Sequence, residues 1–352
     1  MVINPCVIPD QWHPVVERLL VLLEREPQLR LQLEQAIEAS GRFELPYLDS
    51  YCYLVQRMQT TIPNPKTWLP MNLEFYFVLN CSQERCLVEH PTFMEWVRDY
   101  VSGIGSWMDS PDSMLQFSEF VADPLYAVED YVAPPSGWLT YNQFFARQIR
   151  PGCRPIAEPS NDAVVVSAAD STFCGCHRIG HDSTIELKGL RWSVLDLLKD
   201  SPYADAFVDG FYGHSFLAPH NYHRFHVPVA GQLLELRTVM GRVTMDVHQL
   251  ADGSLSVSRS AIGYQFQQER GIAILDSPVG LVAVLPIGMG MVSSVTFSAK
   301  PDSRLRKGDE LGFFSFGGSD VVLLFQAGAR VSWLLSEGEF IHQGQPYATV
   351  TG

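Results

Sequence analysis

The spacing of apolar residues changes about one third of the way along the chain, and this change constrains the fold most. The stretch "HPVVERLLVLLERE" repeats its apolar residues with the period of a helix, until Pro27 interrupts the pattern. After "VAPPSGW", at residues 132–138, short β-branched or alternating runs such as "RFHVPVAGQLLELRTV" take over. We therefore expect an α+β protein with a helical N-terminal domain at 1–133 and a mostly antiparallel β domain at 134–352.

Composition excludes several classes of protein. The 352 residues are 46% hydrophobic and 18% charged, which is typical of a compact globular chain. A net charge of -14 argues against a nucleic-acid partner and against constitutive docking on an anionic membrane, because both would repel it. No apolar run approaches the length of a spanning helix, and the N-terminus does not resemble a signal peptide. We expect a cytoplasmic protein without a transmembrane segment; homo-oligomer formation is left open.

The most unusual motif lies near the C-terminus, in "ELGFFSFGGSDVVLLFQ". Two glycines, Ser319 and Asp320 stand between two runs of strand-forming residues. An ordinary two-residue hairpin turn would explain this pattern. Glycines also allow backbone conformations that are closed to other residues, which would let the Ser319 hydroxyl reach the carbonyl carbon of Gly318. Spacing alone leaves Ser319 as either a turn residue or a nucleophile.

Two further stretches carry candidate catalytic side chains. The segment "LAPHNYHRFHVPVAG" contains His220, His223 and His226. A histidine beside a serine can act as a general base, whereas no carboxylate or cysteine completes a metal site here. Asp170, in "VVVSAADSTF", follows an apolar strand and either forms an Asx turn or orients a histidine. The residues alone do not decide between these alternatives.

Taken together, five segments resemble the phosphatidylserine decarboxylase family in content and in order. They are "YNQFFARQIRPGCRPI", "SAADS", "ELKGLRWSVLDLL", "FLAPHNYHRFHVPVAG" and "KGDELGFFSFGGSDVVLLF". The fourth is similar to the family's Tyr-His-Arg-x-His-x-Pro signature, and the fifth is similar to its processing site. The resemblance does not clearly cover residues 1–130.

Self-processing is what this resemblance implies. The hydroxyl of Ser319 would attack the carbonyl of Gly318, and the chain would split between these two residues into a large chain, 1–318, and a small chain, 319–352. Ser319 would become a covalent pyruvoyl group, which forms a Schiff base with a substrate amine and accepts electrons as CO2 leaves. Pyridoxal phosphate has this role in other enzymes. The resemblance therefore implies neither pyridoxal phosphate nor a metal.

The resemblance also assigns roles to the other candidate residues. It implies that His226 is the base of self-processing, that Asp170 orients it, and that His223 assists decarboxylation or reprotonates the substrate. The chain departs from the family pattern in two segments. Asp320 stands where a threonine is usual, and in the segment 168–171 Ala168 and Ser171 stand where a proline and a glycine are usual. We expect an active enzyme, because the triad positions are all present.

The substrate expected first is a soluble L-amino acid, and an aromatic one such as tryptophan is a candidate. The "GFFSFGGS" context and the acidic helical N-terminal region are similar to a soluble branch of the family that includes tryptophan decarboxylases. The alternative is phosphatidylserine, with phosphatidylethanolamine as the product. A more remote alternative is a non-enzymatic β-sandwich binding module, since "EGEFIHQGQPYATV" is similar to lipoyl-type modules.

Overall fold

The chain divides into two compact units. The computed structural model describes residues 9, 11–43, 47–64, 66–115, 117–187, 190–241, 243–257, 268–288, 290, 294–315 and 319–351. One unit comprises Met1–Gln116 and Thr244–Ala261, and the other comprises Phe117–Val243 and Ile262–Gly352. This division differs from the boundary predicted at 133/134, because the second unit begins earlier and a later segment joins the helical unit.

The helices are concentrated in the first unit, as the spacing of apolar residues predicts. The α-helices are α1 (Pro14–Arg25), α2 (Pro27–Ser40), α3 (Tyr47–Gln59), α4 (Trp68–Asn80), α5 (Cys86–Glu89), α6 (Pro91–Met108), α7 (Phe117–Val121), α8 (Tyr141–Phe145) and α9 (Val194–Leu197). Short 3-10 turns lie at Gln83–Arg85, Pro111–Met114, Pro124–Tyr126, Val128–Asp130 and Ala204–Phe207. Within the described residues, none of the helices combines the length and the apolar character needed to cross a membrane.

The strands follow in chain order. They are β1 (Tyr131–Val132), β2 (Gln148–Ile149), β3 (Val164–Val166), β4 (Ser171–Arg178), β5 (Thr184–Leu187), β6 (Leu190–Ser193), β7 (Phe211–Leu217), β8 (Arg224–His226), β9 (Gly231–Val239), β10 (Val247–Gln249), β11 (Leu255–Val257), β12 (Arg270–Ser277), β13 (Gly280–Gly288), β14 (Val295–Phe297), β15 (Arg304–Leu305), β16 (Glu310–Phe314), β17 (Ser319–Phe325), β18 (Arg330–Trp333), β19 (Phe340–Ile341) and β20 (Pro346–Thr351).

The first unit packs α1–α6 around an apolar core and adds the hairpin β10–β11. Pro27 begins α2 immediately after α1 ends, at a position where its missing N–H costs no hydrogen bond, so the predicted interruption is confirmed. The hairpin is held to the helices by polar contacts. The N–H of Val247 donates to Oδ1 of Asn80 at 2.7 Å, and Arg42 both pairs with Glu74 and donates to the carbonyl of Gly253. These contacts place the hairpin in the helical unit.

The second unit is built on an eight-stranded sheet in the order β15-β9-β12-β13-β17-β7-β4-β19. Its strand pairs are antiparallel, so the predicted mostly antiparallel β domain is confirmed. The smaller sheets β14-β16-β8 and β18-β20-β3 belong to the same unit. The hairpin expected in "AILDSPVGLVAVL" forms between β12 and β13, with Gly280 at a φ of +93° that favours glycine.

Strand β17 lies at the centre of this sheet and begins with the serine of the unusual motif. It pairs with β13 on one side and with β7 on the other, and each of its residues is buried. Strand β16, which precedes the motif, instead pairs with β14 and β8. The flanking strands therefore belong to different sheets, and the hairpin-turn explanation of the motif is wrong. Residues 316–318 of the motif lie outside the described residues.

Candidate active site

Ser319 occupies a fully buried position at the start of β17. It stands opposite Gly288 of β13 and Leu217 of β7, and its exposed fraction is 0%. Its Oγ lies 3.0 Å from Nδ1 of His223, which is also fully buried. Gly318, on the other side of the bond predicted to break, lies outside the described residues. The structure thus brings two of the predicted site residues into direct contact.

The second ring nitrogen of His223 fixes the direction of this hydrogen bond. Nε2 lies 3.0 Å from the carbonyl oxygen of Ala218. A carbonyl oxygen only accepts, so Nε2 carries the hydrogen and Nδ1 of the neutral ring carries the lone pair. Nδ1 therefore accepts from the Ser319 hydroxyl. The ring of Phe145 stacks on the imidazole, with 3.9 Å between ring centroids, and keeps it in this orientation.

The surroundings of His223 keep its ring uncharged. Burial, followed by the positive charge of Arg147, lowers the pKa of His223 to about 3. The lone pair on Nδ1 is therefore available at neutral and mildly acidic pH. Ser319 and His223 therefore have the relative positions of a hydroxyl and an adjacent proton acceptor, an arrangement that can activate a hydroxyl.

His226 lies three residues further on, in β8, and its hydrogen bonds go elsewhere. Nδ1 lies 2.9 Å from the carbonyl oxygen of Gly308, so Nδ1 donates, and Nε2 then accepts from the hydroxyl of Tyr222 at 3.0 Å. Burial lowers the pKa of His226. Both ring nitrogens are thus engaged away from Ser319. The structure pairs the serine with His223 rather than with His226, to which the family resemblance gives the role of base.

Asp170 is buried between β3 and β4, and an arginine holds it. Arg154 donates to both carboxylate oxygens at 2.7–3.1 Å, and the N–H of Gln343 donates to Oδ1 at 2.8 Å. Nδ1 of His342 lies 3.3 Å from Oδ2. Burial alone would raise the pKa of Asp170, but hydrogen bonds from His342 and Arg154 outweigh burial and lower it, so the carboxylate is charged.

The predicted pairing of Asp170 with His226 is not formed by any hydrogen bond among the described residues. The physical reason is that a guanidinium offers two parallel charge-assisted donors, which a neutral imidazole cannot match. Arg154 lies in the quoted segment "RPGCRPI", yet the sequence reasoning gave it no role. The feature that could have identified Arg154 is its positive charge in a segment near the start of the β domain. The role of Asp170 as an orienter stays a prediction.

Asp320, the departure next to the serine, points to the opposite face of β17. Side chains alternate along a strand, so Ser319 and Asp320 face different layers of the unit. Oδ1 of Asp320 lies 3.0 Å from Nε2 of His214, and the side chain of Asp320 is fully buried. Ser171, the other departure, is buried and its Oγ donates to the carbonyl of Ala169. The buried Asp320 carboxylate therefore has a hydrogen-bond partner on the side of the strand away from Ser319.

Comparison with known proteins finds a family that is similar to the part of the chain that carries these residues. The family model for phosphatidylserine decarboxylase matches residues 141–349, more than half of the chain. A phosphatidylserine decarboxylase proenzyme 2 of Oryza sativa subsp. japonica is 32% identical over 229 residues, which cover 64% of this chain and 36% of that relative. A phosphatidylserine decarboxylase proenzyme of Fusobacterium nucleatum is 31% identical over 227 residues, which cover 63% of this chain and 71% of that relative.

A third relative shows how far the similarity extends. Phosphatidylserine decarboxylase proenzyme 3 of Schizosaccharomyces pombe is 34% identical over 223 residues, which are 22% of its length. The chain thus spans only about a third of the rice relative and less than a quarter of the yeast one. The family match nevertheless covers the segments that carry Asp170, His223, His226 and Ser319. On this match, and as the resemblance predicts, the chain belongs to the phosphatidylserine decarboxylase family.

Proposed function

We propose that the protein is a self-processing, pyruvoyl-dependent decarboxylase that acts on phosphatidylserine. The observation that carries this proposal is the buried hydrogen bond from the Ser319 hydroxyl to the neutral Nδ1 of His223, at the position of the family's processing site. The relatives are named as proenzymes, which supports cleavage of the chain. The residues present fit the formation of a pyruvoyl group, because the serine that would supply it stands beside a proton acceptor.

Self-processing begins with the serine and this histidine. His223 takes the hydroxyl proton while Oγ of Ser319 attacks the carbonyl carbon of Gly318. The proton then passes to the nitrogen of residue 319 as the bond between Gly318 and this nitrogen breaks, so that an ester replaces the peptide bond. Loss of the α-proton of residue 319 then breaks its Cβ–Oγ bond and leaves Gly318 with a free carboxylate. Water finally releases ammonia from residue 319. Under this proposal His223, rather than His226, is the base of the first step.

The pyruvoyl group, once formed, supplies a sink for the electrons that remain when CO2 leaves the substrate. The chain's own residues then bind substrate and move protons. His223 keeps its place beside residue 319, so Nδ1 could take up a proton and pass it to the substrate after CO2 has left. Phe145 on one side and Phe314 on another surround the ring and exclude water from it. This use of His223 agrees with the role that the family resemblance implies.

The two chains would stay together after cleavage. Strand β17 of the small chain remains between β13 and β7 of the large chain, and its seven residues are buried. Asp170 of the large chain also accepts from the N–H of Gln343 in the small chain. These contacts do not depend on the bond between residues 318 and 319. We therefore expect that the fragments separate only under denaturing conditions.

The substrate assignment rests on the relatives and on one surface feature. The relatives are named as phosphatidylserine decarboxylase proenzymes. Their names therefore support phosphatidylserine, the alternative substrate, better than the soluble amino acid expected first from the sequence. The segment before α8 also exposes apolar side chains, and Tyr126 of this segment packs 5.8 Å from the ring of Phe144, next to the ring that covers His223. The exposed side chains are Val121, Leu125, Val132 and Leu139. Exposed apolar side chains near the site suit the acyl chains of a lipid.

Product formation from three substrates tests this proposal. The purified protein and its Ser319→Ala variant are incubated with vesicles containing phosphatidylserine, with a short-chain phosphatidylserine and with free L-tryptophan. We expect phosphatidylethanolamine from the unchanged protein and none from the variant. Release of CO2 from tryptophan alone would overturn the lipid assignment and restore the amino acid. A processed protein that releases CO2 from none of the three would overturn the proposed substrates.

A further inference from the structure

Arg147 is a buried cation beside the candidate active site. It lies two residues after the last residue of α8 and is 1% exposed. Its guanidinium carbon lies 4.1 Å from the ring centroid of Tyr131 and 4.8 Å from that of Phe144. The neighbouring arginines 154 and 224 pair with carboxylates, whereas no carboxylate pairs with Arg147 in the part of the chain that the structure describes. A buried charge without a counterion is costly, so this one requires an explanation.

The hydrogen bonds of Arg147 go to the turn that precedes His223. Nη2 donates to the carbonyl oxygens of His220 at 2.8 Å and Asn221 at 3.1 Å. The same turn is closed by Asn221, whose N–H donates to the carbonyl of Ala218 and whose Oδ1 accepts from the Ala218 N–H. The Arg147 guanidinium therefore binds the turn at two adjacent carbonyl oxygens.

This turn sets the orientation of the catalytic histidine. The carbonyl oxygen of Ala218 accepts from Nε2 of His223, and this bond leaves the lone pair of Nδ1 directed at Ser319. Phe145, two residues before Arg147, stacks on the same ring. One short segment thus fixes the histidine twice, through the stacked ring and through the turn.

The two side chains that act on the pKa of His223 through their charge, Arg147 and His220, both lower it. After burial, Arg147 is the largest contribution that lowers the pKa of His223, and His220 on the same turn adds a smaller one. Hydrogen bonds to the backbone of residues 218 and 219 oppose them. Ser319 of β17 and the rings of Phe145 and Phe314 also contact His223 and carry no charge.

We infer that Arg147 is a positioning residue that fixes the 218–222 turn and holds His223 as a neutral ring with its hydrogen on Nε2. The inference rests on the proposed function in one respect, since it makes His223 the acceptor of the Ser319 proton. It assigns Arg147 no contact with substrate. Its charge is retained beside the site because a positive neighbour disfavours a second positive charge on the imidazole.

The test measures the histidine itself and does not need cleavage. In the intact Ser319→Ala protein, 15N-labelled histidine rings report both the tautomer and the protonation of His223 between pH 3 and pH 8. We expect a neutral ring with its hydrogen on Nε2 from pH 5 to pH 8. In the Arg147→Gln, Ser319→Ala protein we expect the pKa of His223 to rise by roughly one unit or more, the size of effect that a neighbouring charge produces.

Two further variants separate positioning from general damage to the fold. Arg270 is also buried and also donates to backbone carbonyls, at Leu197 and Asp196, so Arg270→Gln is the matched control and should leave the titration of His223 unchanged. Arg147→Lys keeps the charge and should leave the pKa of His223 close to its value in the Ser319→Ala protein. An equal shift in Arg270→Gln, or a shift in Arg147→Lys as large as in Arg147→Gln, would overturn the inference.

A failure of this inference can be distinguished from a failure of the proposed function. If Arg147→Gln does not fold, the Ser319→Ala protein still decides, because a protonated His223 at pH 5 or a hydrogen on Nδ1 contradicts the inference. If the unchanged protein fails to self-cleave while the predicted tautomer and shift are found, the proposed function fails and the role of Arg147 stands. If the unchanged protein cleaves itself but the pKa shift in the Arg147→Gln variant is absent, the inference about Arg147 fails and the proposed function stands.

Discussion

Replacing His223 and His226 separately by alanine distinguishes their roles. Both rings are buried and each makes two hydrogen bonds, so each substitution removes similar packing and costs roughly 2–4 kcal/mol of unfolding free energy. Only His223 accepts from the Ser319 hydroxyl. General-base catalysis contributes about 10²–10⁴-fold, so we expect His223→Ala to slow self-cleavage by about this factor. His226→Ala should slow it far less.

The assay follows cleavage in newly made chain. Each variant is produced by cell-free translation, and conversion of the 39.5 kDa precursor into its fragments is timed on a denaturing gel. Circular dichroism of the purified variants controls for folding. Because the two substitutions cost similar stability, a difference in cleavage rate reports the chemistry.

One pattern of results would refute this reasoning. If the His223→Ala chain cleaves at the normal rate while the His226→Ala chain does not cleave, the hydrogen bond to Ser319 has no catalytic meaning. The base would then be His226, as the family resemblance implies, and the precursor would have to rearrange before it reacts.

Three other predictions concern the residues around this pair. Asp320→Ala removes the buried hydrogen-bond partner of His214 and should lower the unfolding free energy by roughly 1–3 kcal/mol in urea titrations, the cost of a buried polar group left without its partner; no measurable change would show that the pair contributes no stability. Arg154→Lys should also destabilise the fold, because one ammonium cannot replace the guanidinium fork on Asp170, and wild-type stability would contradict that view. The pKa of His223 is lower in the folded chain than the ordinary 6.5, so the unfolded chain binds more protons between pH 6.5 and pH 3 and stability falls as pH falls. At pH 5 this residue should cost about 2 kcal/mol, which His223→Phe should recover in a cleavage-deficient background; equal pH dependence of both chains would contradict it.

The division into a helical part and a β part is predictable from sequence because it rests on local periodicity. Pro27 and the β12–β13 turn are local signals of the same kind, and both were predicted. The boundary between units was not predictable in this way. Residues 244–261 leave the β unit and join the helices through Asn80 and Arg42, and only contacts between distant parts of the chain reveal this.

The candidate site shows the same limit. Ser319 and His223 were identified from motifs, but which of two histidines three residues apart faces the serine depends on the 218–222 turn and on the pairing of β8. The hairpin explanation of the glycine motif was wrong because strands that enter different sheets have the same composition as strands of a hairpin. Arg154 was not identified as the partner of Asp170, because the two residues are 16 positions apart and only the folded chain brings them together.

The most direct test of the account is the intact mass of the purified protein under denaturing conditions, measured beside the Ser319→Ala variant. The account predicts two fragments from the unchanged protein, one ending at Gly318, and the smaller one lighter by one ammonia than a peptide that begins with serine. From the variant it predicts a single chain of 39.5 kDa, lighter than the uncleaved protein only by the oxygen atom of the Ser319 hydroxyl. An intact chain from the unchanged protein, or cleavage of the variant at the same bond, would contradict the account.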